Sequence, residues 1–393
     1  MKLLFIDGGS RLKLSKDGRW FTDGTFTEEV WNRYISICQE LTIILRKEPT
    51  IYENDDAERR FSPIPISNKV KVVALEDILK PICNLLDINK RKQIEKTIFE
   101  EINLTDKCII RSASFYTLLA YKACIKYNKP YLLEVTGFAK EGLSHHSILG
   151  QLSANYFENV HKEMAAKASC AIYVTEEALQ KRYPCKNGKM LGCSDVDIEE
   201  CDEQLLQKRT SKILCNSDKI VLGTIAFLDV KWKGQANVIK AIAHLKKQGV
   251  TNVFYEMVGL GTGDALVKLA KKLNVADKVK ILGAKNHEDI FRWLDTIDIY
   301  VQPSYQEGLC RAIVEAISRA VPVICSDVGG NFELIDKKYL FKAGDDKKIA
   351  ELIEIMFKEN MEQSRKNFQR AKKYEKRALE SKRLKFLQDF MRL

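Results

Sequence analysis

The 393-residue sequence predicts an α/β protein made of two doubly wound parallel-sheet domains. Three observations carry that reading. The length exceeds what one hydrophobic core usually organises. Apolar, β-branched runs alternate with segments of helical period along nearly the whole chain. The alternation also occurs twice, on either side of the polar stretch Asp195–Asp218.

In the first half the expected strands are Lys2–Asp7, Leu41–Arg46, Val70–Leu75, Lys107–Arg111, Tyr131–Val135 and Cys170–Thr175, with helices most evident at Ser114–Tyr127 and Leu152–Lys167. In the second half strands are expected at Lys219–Leu228, Asn252–Val258, Val279–Leu282, Asp298–Gln302 and Pro322–Ser326. Helices are expected between them at Gln235–Gln248, Asp264–Leu273, His287–Leu294 and Gly308–Arg319. Strands joined by single helices favour parallel βαβ units with right-handed crossovers. Ligands of such sheets bind at the carboxyl ends of the strands. The expected division is residues 1–200 and 201–373, with a last helix near 374–393 returning to the first domain.

Hydrophobic residues make up 45% of the chain and charged residues 30%, as in ordinary globular proteins. No run approaches the roughly 18–20 apolar residues of a membrane span. The opening MKLLFIDGGS reads as a first strand and its turn, not a signal peptide. Eleven scattered cysteines without a C-x-x-C pair fit buried, reduced thiols and a cytoplasmic setting. No metal site is expected from them, and the D-x-D at Asp195–Asp197 opens the polar stretch where no metal ligand is needed.

The formal net charge is +11, concentrated in RKNFQRAKKYEKRALESKRLK from Arg365 to Lys385. That run is a solvated helix face or a contact for an anionic surface such as the inner leaflet of a membrane. No helix-turn-helix, zinc-finger spacing or RNP aromatics accompany it, so nucleic acid is not expected.

Candidate site residues cluster at strand ends. Gly8 and Gly9 follow the first strand, where a tight turn lets backbone approach a phosphate. Gly259 opens VGLGTG, a G-x-G-x-G that lacks the dinucleotide pattern and its acidic partner. Lys231 and Lys233 in KWKGQ stand where an ammonium can neutralise a diphosphate. In QPSYQEGLCRAIVEAIS, Glu307 is expected at the mouth of a helix and Glu315 two turns inside it. The amides of Gly308, Leu309 and Cys310 then form a positive helix terminus suited to an anion, with Arg311 beside them. Glu315 falls about 12 Å further along at 1.5 Å per residue. A ligand reaching both carboxylates is long, with hydroxyls at both ends and negative charge between. A nucleoside diphosphate sugar has that form.

These motifs resemble the retaining glycosyltransferases of family four. The likeness rests on EGLCRAIVE, the downstream VPVICSDVGGNFELI, the KWKGQ turn and VGLGTG followed by VKILG, spanning about Lys219–Ile335. YVTEEALQKRYP and KDGRWFTDGTF extend it to the first half, and the branch it resembles builds bacterial capsule, O-antigen and other surface polysaccharides. The resemblance implies the GT-B fold, two Rossmann-like domains facing a cleft. It implies Glu307 at the donor sugar, Lys233 at the diphosphate, Glu315 at the ribose, and Gly8 or Gly9 near phosphates or acceptor. It implies a UDP-type donor, a glycan or lipid-linked glycan acceptor, front-face attack without a metal or other cofactor, and peripheral attachment at the inner face of the membrane. Phe227 stands where the family often carries an arginine, which leaves charge neutralisation partly to Lys231 or Arg311. A catalytic histidine is expected after Tyr131–Val135; here His145 and His146 come later in TGFAKEGLSHHS. The alternatives are a nucleotide-sugar epimerase of similar architecture and a non-catalytic binder of anionic surfaces.

Overall fold

The computed structural model describes residues 1–24, 26–79, 84, 86–144, 148–215 and 218–393, apart from the side chains of 148 and 149. His145 and His146 lie outside the described residues. The chain divides into two compact units. Unit 1 comprises Met1–Tyr173, Gln180–Gly192 and Lys382–Leu393, and unit 2 comprises Val174–Leu179 and Cys193–Ser381. Of the last helix, Lys376–Arg392, only the part from Lys382 onward belongs to unit 1.

Unit 1 contains β1 (Lys2–Ser15), β2 (Trp20–Thr22), β3 (Glu40–Tyr52), β4 (Ser62–Pro63), β5 (Val70–Glu76), β6 (Lys107–Arg111), β7 (Tyr131–Val135), β8 (Cys170–Tyr173) and β9 (Lys189–Gly192). Its parallel sheet runs β5-β3-β1-β6-β7-β8-β9. Short β2 pairs antiparallel with the far end of β1 and with β4. The continuous apolar runs of β1, β6 and β7 reflect a sheet covered on both faces, and Leu3, Leu4, Phe5, Ile109, Leu132 and Leu133 are fully buried. Phe5 anchors an aromatic cluster with Phe26, Trp31 and Tyr34, at ring separations of 5.0 to 5.4 Å.

The first strand departs from expectation. It does not stop at Asp7 but runs through Gly8 and Gly9 to Ser15, with a register shift against β3 between Ile6 and Arg11. The two glycines form a bulge, not a turn into a helix. The Asp7 Oδ2 atom accepts the amides of Gly9 (3.0 Å) and Ser10 (2.6 Å), so the chain's own carboxylate takes the place expected for a phosphate. A Cβ at Gly8 would lie 2.5 Å from Ser114 Oγ, the cap of helix Phe115–Lys126. Packing accounts for that glycine.

Unit 2 contains β10 (Ile220–Ile225), β11 (Val253–Val258), β12 (Val279–Gly283), β13 (Ile299–Gln302), β14 (Val323–Ser326) and β15 (Leu340–Phe341). They form one parallel sheet in the order β12-β11-β10-β13-β14-β15. The chain goes from β10 to β11 and β12 on one side, then returns to β13, β14 and β15 on the other. The order therefore reverses between β10 and β13, and a crevice opens at their carboxyl ends. Among the described residues no helix is long and apolar enough to cross a membrane.

Candidate functional site

The two loops flanking that crevice carry the residues singled out from the sequence. After β10 the chain makes a 3-10 turn at Lys231–Lys233, and Gly234 starts helix Gln235–Lys247. Gly234 has φ 75°, and a Cβ there would sit 2.1 Å from the Pro303 carbonyl oxygen. Only glycine lets the two loops approach so closely. The Tyr305 amide donates to the Trp232 carbonyl at 2.8 Å, closing the contact.

Within this frame Lys233 Nζ donates to Glu307 Oε1 at 2.7 Å, with the side chains 23% and 12% exposed. Burial works against the charge on Lys233, but the adjacent Glu307 carboxylate outweighs it and the lysine pKa is raised. The ammonium is thus held charged at the carboxyl ends of the strands. A relay fixes the carboxylate from behind: Tyr300 Oη donates to Gln302 Oε1 (2.7 Å), and Gln302 Nε2 donates to Ser304 Oγ (2.8 Å) and Glu307 Oε1 (3.2 Å). Among the described residues nothing donates to Glu307 Oε2, which leaves one oxygen for a ligand.

The helix begins later than the sequence suggests. It spans Arg311–Ser318 with extended Cys310 as its cap, so Gly308 and Leu309 belong to a loop. The reason lies in unit 2's own packing. The Gly308 carbonyl accepts the Gly330 amide at 2.7 Å, which draws the chain out of helical geometry. The first intrahelical acceptor is Cys310, and among the described residues no hydrogen bond is given by the amides of Gly308, Leu309, Cys310, Arg311 or Ala312. Five free donors in loop and first turn make an anion site of greater reach than a helix terminus alone. Cys310 is buried, and burial pushes its thiol pKa up, so it is no nucleophile.

Glu315 lies four residues inside the helix, about 6 Å along its axis. It is half-buried, and although its backbone carbonyl accepts the Ser318 hydroxyl (2.7 Å), its carboxylate accepts no hydrogen bond or ion pair among the described residues. Burial raises its pKa, while Arg311 and His287 pull it down and Asp197 adds to the rise. A half-buried carboxylate without a donor costs stability, and a ligand with hydroxyls would relieve it. Arg311 and Lys231 are exposed at the same end of the sheet.

The VGLGTG loop proves to be structural in part. Asp229 Oδ2 and Oδ1 accept the amides of Thr262 (3.0 Å) and Gly263 (2.9 Å), so those donors are spent. Gly259 has φ 154°, and a Cβ there would fall 1.9 Å from the Ala226 carbonyl oxygen. It permits close approach of the chains leaving β10 and β11.

Two features escaped the sequence reading. Gln302, 1% exposed, orients Glu307; the signal was an amide closing an otherwise apolar strand. Gly329 and Gly330 back the Glu307 loop: with φ 57° at Gly329, a Cβ would lie 2.0 Å from the Glu307 carbonyl oxygen. Gly329→Ala is accordingly expected to destabilise unit 2 by about 1–3 kcal/mol. Thermal melts check this, and an unchanged melting temperature would refute the contact.

The profile of the family described as glycosyl transferases group 1 matches residues 208–375. Protein CapJ of Staphylococcus aureus is 33% identical over 330 residues, 84% of this chain and 80% of that protein. The amylovoran biosynthesis glycosyltransferase AmsK of Erwinia amylovora is 34% identical over 132 residues, 31% of this chain and 32% of that protein. Among solved structures, Anabaena Alr3699/HepE in complex with UDP superposes with a TM-score of 0.64 at 18% identity, covering 99% of this chain and all of that one. That likeness identifies the fold as GT-B, two Rossmann-like units. With a sustained relative at this identity and the family profile lying over the Lys233–Glu307 crevice, the chain belongs to the group 1 glycosyltransferases.

Proposed function

We propose that the protein is a retaining, metal-independent glycosyltransferase that moves a sugar from a nucleoside diphosphate sugar, of UDP type, to a glycan or lipid-linked glycan acceptor in surface polysaccharide synthesis at the cytoplasmic face of the membrane. The observation that carries this reading is the buried Lys233–Glu307 pair beside the undonated amides of Gly308 to Ala312. Cation and amides suit a diphosphate whose charge grows as it leaves. Glu307 Oε2 suits a hydroxyl of the donor sugar, and Glu315 suits the ribose. The bond from the anomeric carbon to the phosphate oxygen breaks, its electrons leaving with the diphosphate. The acceptor oxygen bonds to the anomeric carbon from the same face, and its proton passes to the departing phosphate. The UDP bound to the structural neighbour supports the uridine donor. The exposed Arg377, Lys382 and Lys385 of the last helix suit an anionic membrane.

A thermal-shift screen with UDP-, GDP- and ADP-sugars tests the donor. A ligand at a hundred times its Kd adds about 2.7 kcal/mol to the native state. UDP-sugars are expected to raise the melting temperature, and Glu315→Ala is expected to remove most of the rise. NMR of the product anomer tests retention. An inverted product overturns the mechanism, and a C-epimerised nucleotide sugar formed without transfer would indicate an epimerase.

A further inference from the structure

Unit 2 leaves few large apolar side chains in water. Among its described residues they are Leu214, Phe227, Leu260, Val267 and Tyr305. Leu214 and Val267 lie on helices Glu203–Leu214 and Asp264–Lys272. The other three follow the carboxyl ends of β10, β13 and the adjacent β11, the edge where the crevice opens. Phe227 is 55%, Leu260 60% and Tyr305 43% exposed. Single exposed apolar residues are ordinary on a protein surface, but three gathered at the ligand-binding edge of one sheet need a reason.

Backbone contacts tie the three to the loops of the Lys233–Glu307 pair. The Leu228 amide donates to the Leu260 carbonyl at 2.8 Å, which sets Phe227 and Leu260 within one residue of register. Gln235 Nε2, two residues past Lys233, donates to the Phe227 carbonyl at 3.0 Å. Tyr305 stands two residues before Glu307, with its amide on the Trp232 carbonyl. Asn237 Nδ2 donates to the Tyr305 hydroxyl at 3.0 Å, and buried Asn237 thereby fixes the ring.

Such a rim suits neither the charged nor the hydroxylated parts of a nucleotide sugar. A diphosphate is served by Lys233 and the undonated amides from Gly308 onward, and a sugar hydroxyl by Glu307 Oε2. A hydroxyl laid on phenyl and isobutyl groups loses water without gaining a partner. A methyl group gains there instead.

Resting on the reading of the crevice as a nucleotide-sugar site, we propose that Phe227, Leu260 and Tyr305 select a donor whose sugar carries a methyl-bearing substituent over the plain hexose. The methyl belongs to an acetamido group or to the C6 position of a 6-deoxy sugar.

Isothermal titration of the full chain with UDP, and with the UDP-hexose, its N-acetylamino form and its 6-deoxy form in both the gluco and galacto series, tests it. An apolar pocket discriminates one methyl or methylene by roughly 10–200-fold. At least one methyl-bearing donor is therefore expected to bind about tenfold or more tighter than its plain hexose. The preferred form tells the acetamido source from the 6-deoxy one. In Phe227→Ser with Leu260→Ser that ratio is expected to fall to near one, and in Tyr305→Ala to fall severalfold. The substituted side chains are exposed, so melting temperatures taken in parallel are expected to hold. UDP, which lacks the sugar, reports on the crevice itself. UDP bound with no preference among the sugars overturns this inference alone. So does a ratio unmoved by the rim substitutions, or an equal loss for UDP, which would put the base or the diphosphate on the rim. A wild-type chain that binds neither UDP nor any UDP-sugar overturns the proposed function, and this inference with it.

Discussion

Glu307→Gln and Lys233→Ala are each expected to lower turnover with a nucleotide-sugar donor by about a hundredfold or more, the scale of losing one preorganised group that stabilises developing charge. The substitutions differ in what else they disturb. Glu307→Gln keeps the shape and the contact to Gln302 while removing the charge beside Lys233. Lys233→Ala leaves a carboxylate only 12% exposed with Gln302 as its one donor among the described residues. A stability loss of about 1–3 kcal/mol is therefore expected for Lys233→Ala, and activity is compared below both melting temperatures. Steady-state kinetics with each purified variant is the check. Wild-type turnover in both would remove the assignment.

The largest expected stability effect lies in unit 1. Glu134 of β7 is 3% exposed and accepts from Arg111 (2.6 Å) and the Tyr34 hydroxyl (2.8 Å). Burial raises its pKa, but Arg111 and Arg383 together outweigh that, and the net shift is downward from 4.5. Because Arg383 belongs to the chain's final segment, the carboxylate also holds that segment electrostatically to the sheet. Glu134→Ala strands buried positive charge and is expected to cost roughly 3–5 kcal/mol. At about 2–4 °C per kcal/mol for a unit of this size, unit 1 melts about 10 °C lower. The pH dependence has a definite sign. A depressed carboxylate contributes stability that is present above its unfolded pKa near 4.5 and is lost as pH falls through the folded value. Melts taken from neutral pH down through this window are expected to show a steeper acid loss in wild type than in Glu134→Ala. Parallel curves would contradict the role given to the carboxylate.

Much of the fold was legible because buried parallel strands are nearly continuous apolar runs. Lys107–Arg111 and Tyr131–Val135 fall where the sequence puts them, and the expected second-half strands shift by one residue at their ends, save that Lys219–Leu228 stops three residues early at Ile225. The misreadings share one cause. Gly8–Gly9 and Gly308–Leu309 were read from local chemistry, as a turn and as a first helical turn, and distant residues decided otherwise. Arg46 donates to the Gly8 and Gly9 carbonyls (2.8 and 3.1 Å) and carries β1 onward as a bulge. Gly330 holds Gly308 outside the helix. In the same way Asp229, thirty residues before Gly259, spends the loop amides that VGLGTG offered on paper. The pair Lys233–Glu307 was foreseeable because both lie at carboxyl ends of strands flanking a reversal of order. The relay through Gln302 was not, because its meaning depends on where Tyr300 and Ser304 point.

A crystal structure with a UDP-sugar bound decides whether Lys233, Glu307 and Glu315 hold the donor. The diphosphate is expected within hydrogen-bonding distance of Lys233 Nζ and of amides in the Gly308–Ala312 segment, the ribose hydroxyls on the Glu315 carboxylate, and the sugar against Glu307 Oε2. A donor seated at another part of unit 2, with Glu307 still bound only to Lys233 and Gln302 and the Glu315 carboxylate still without a partner, would contradict that assignment.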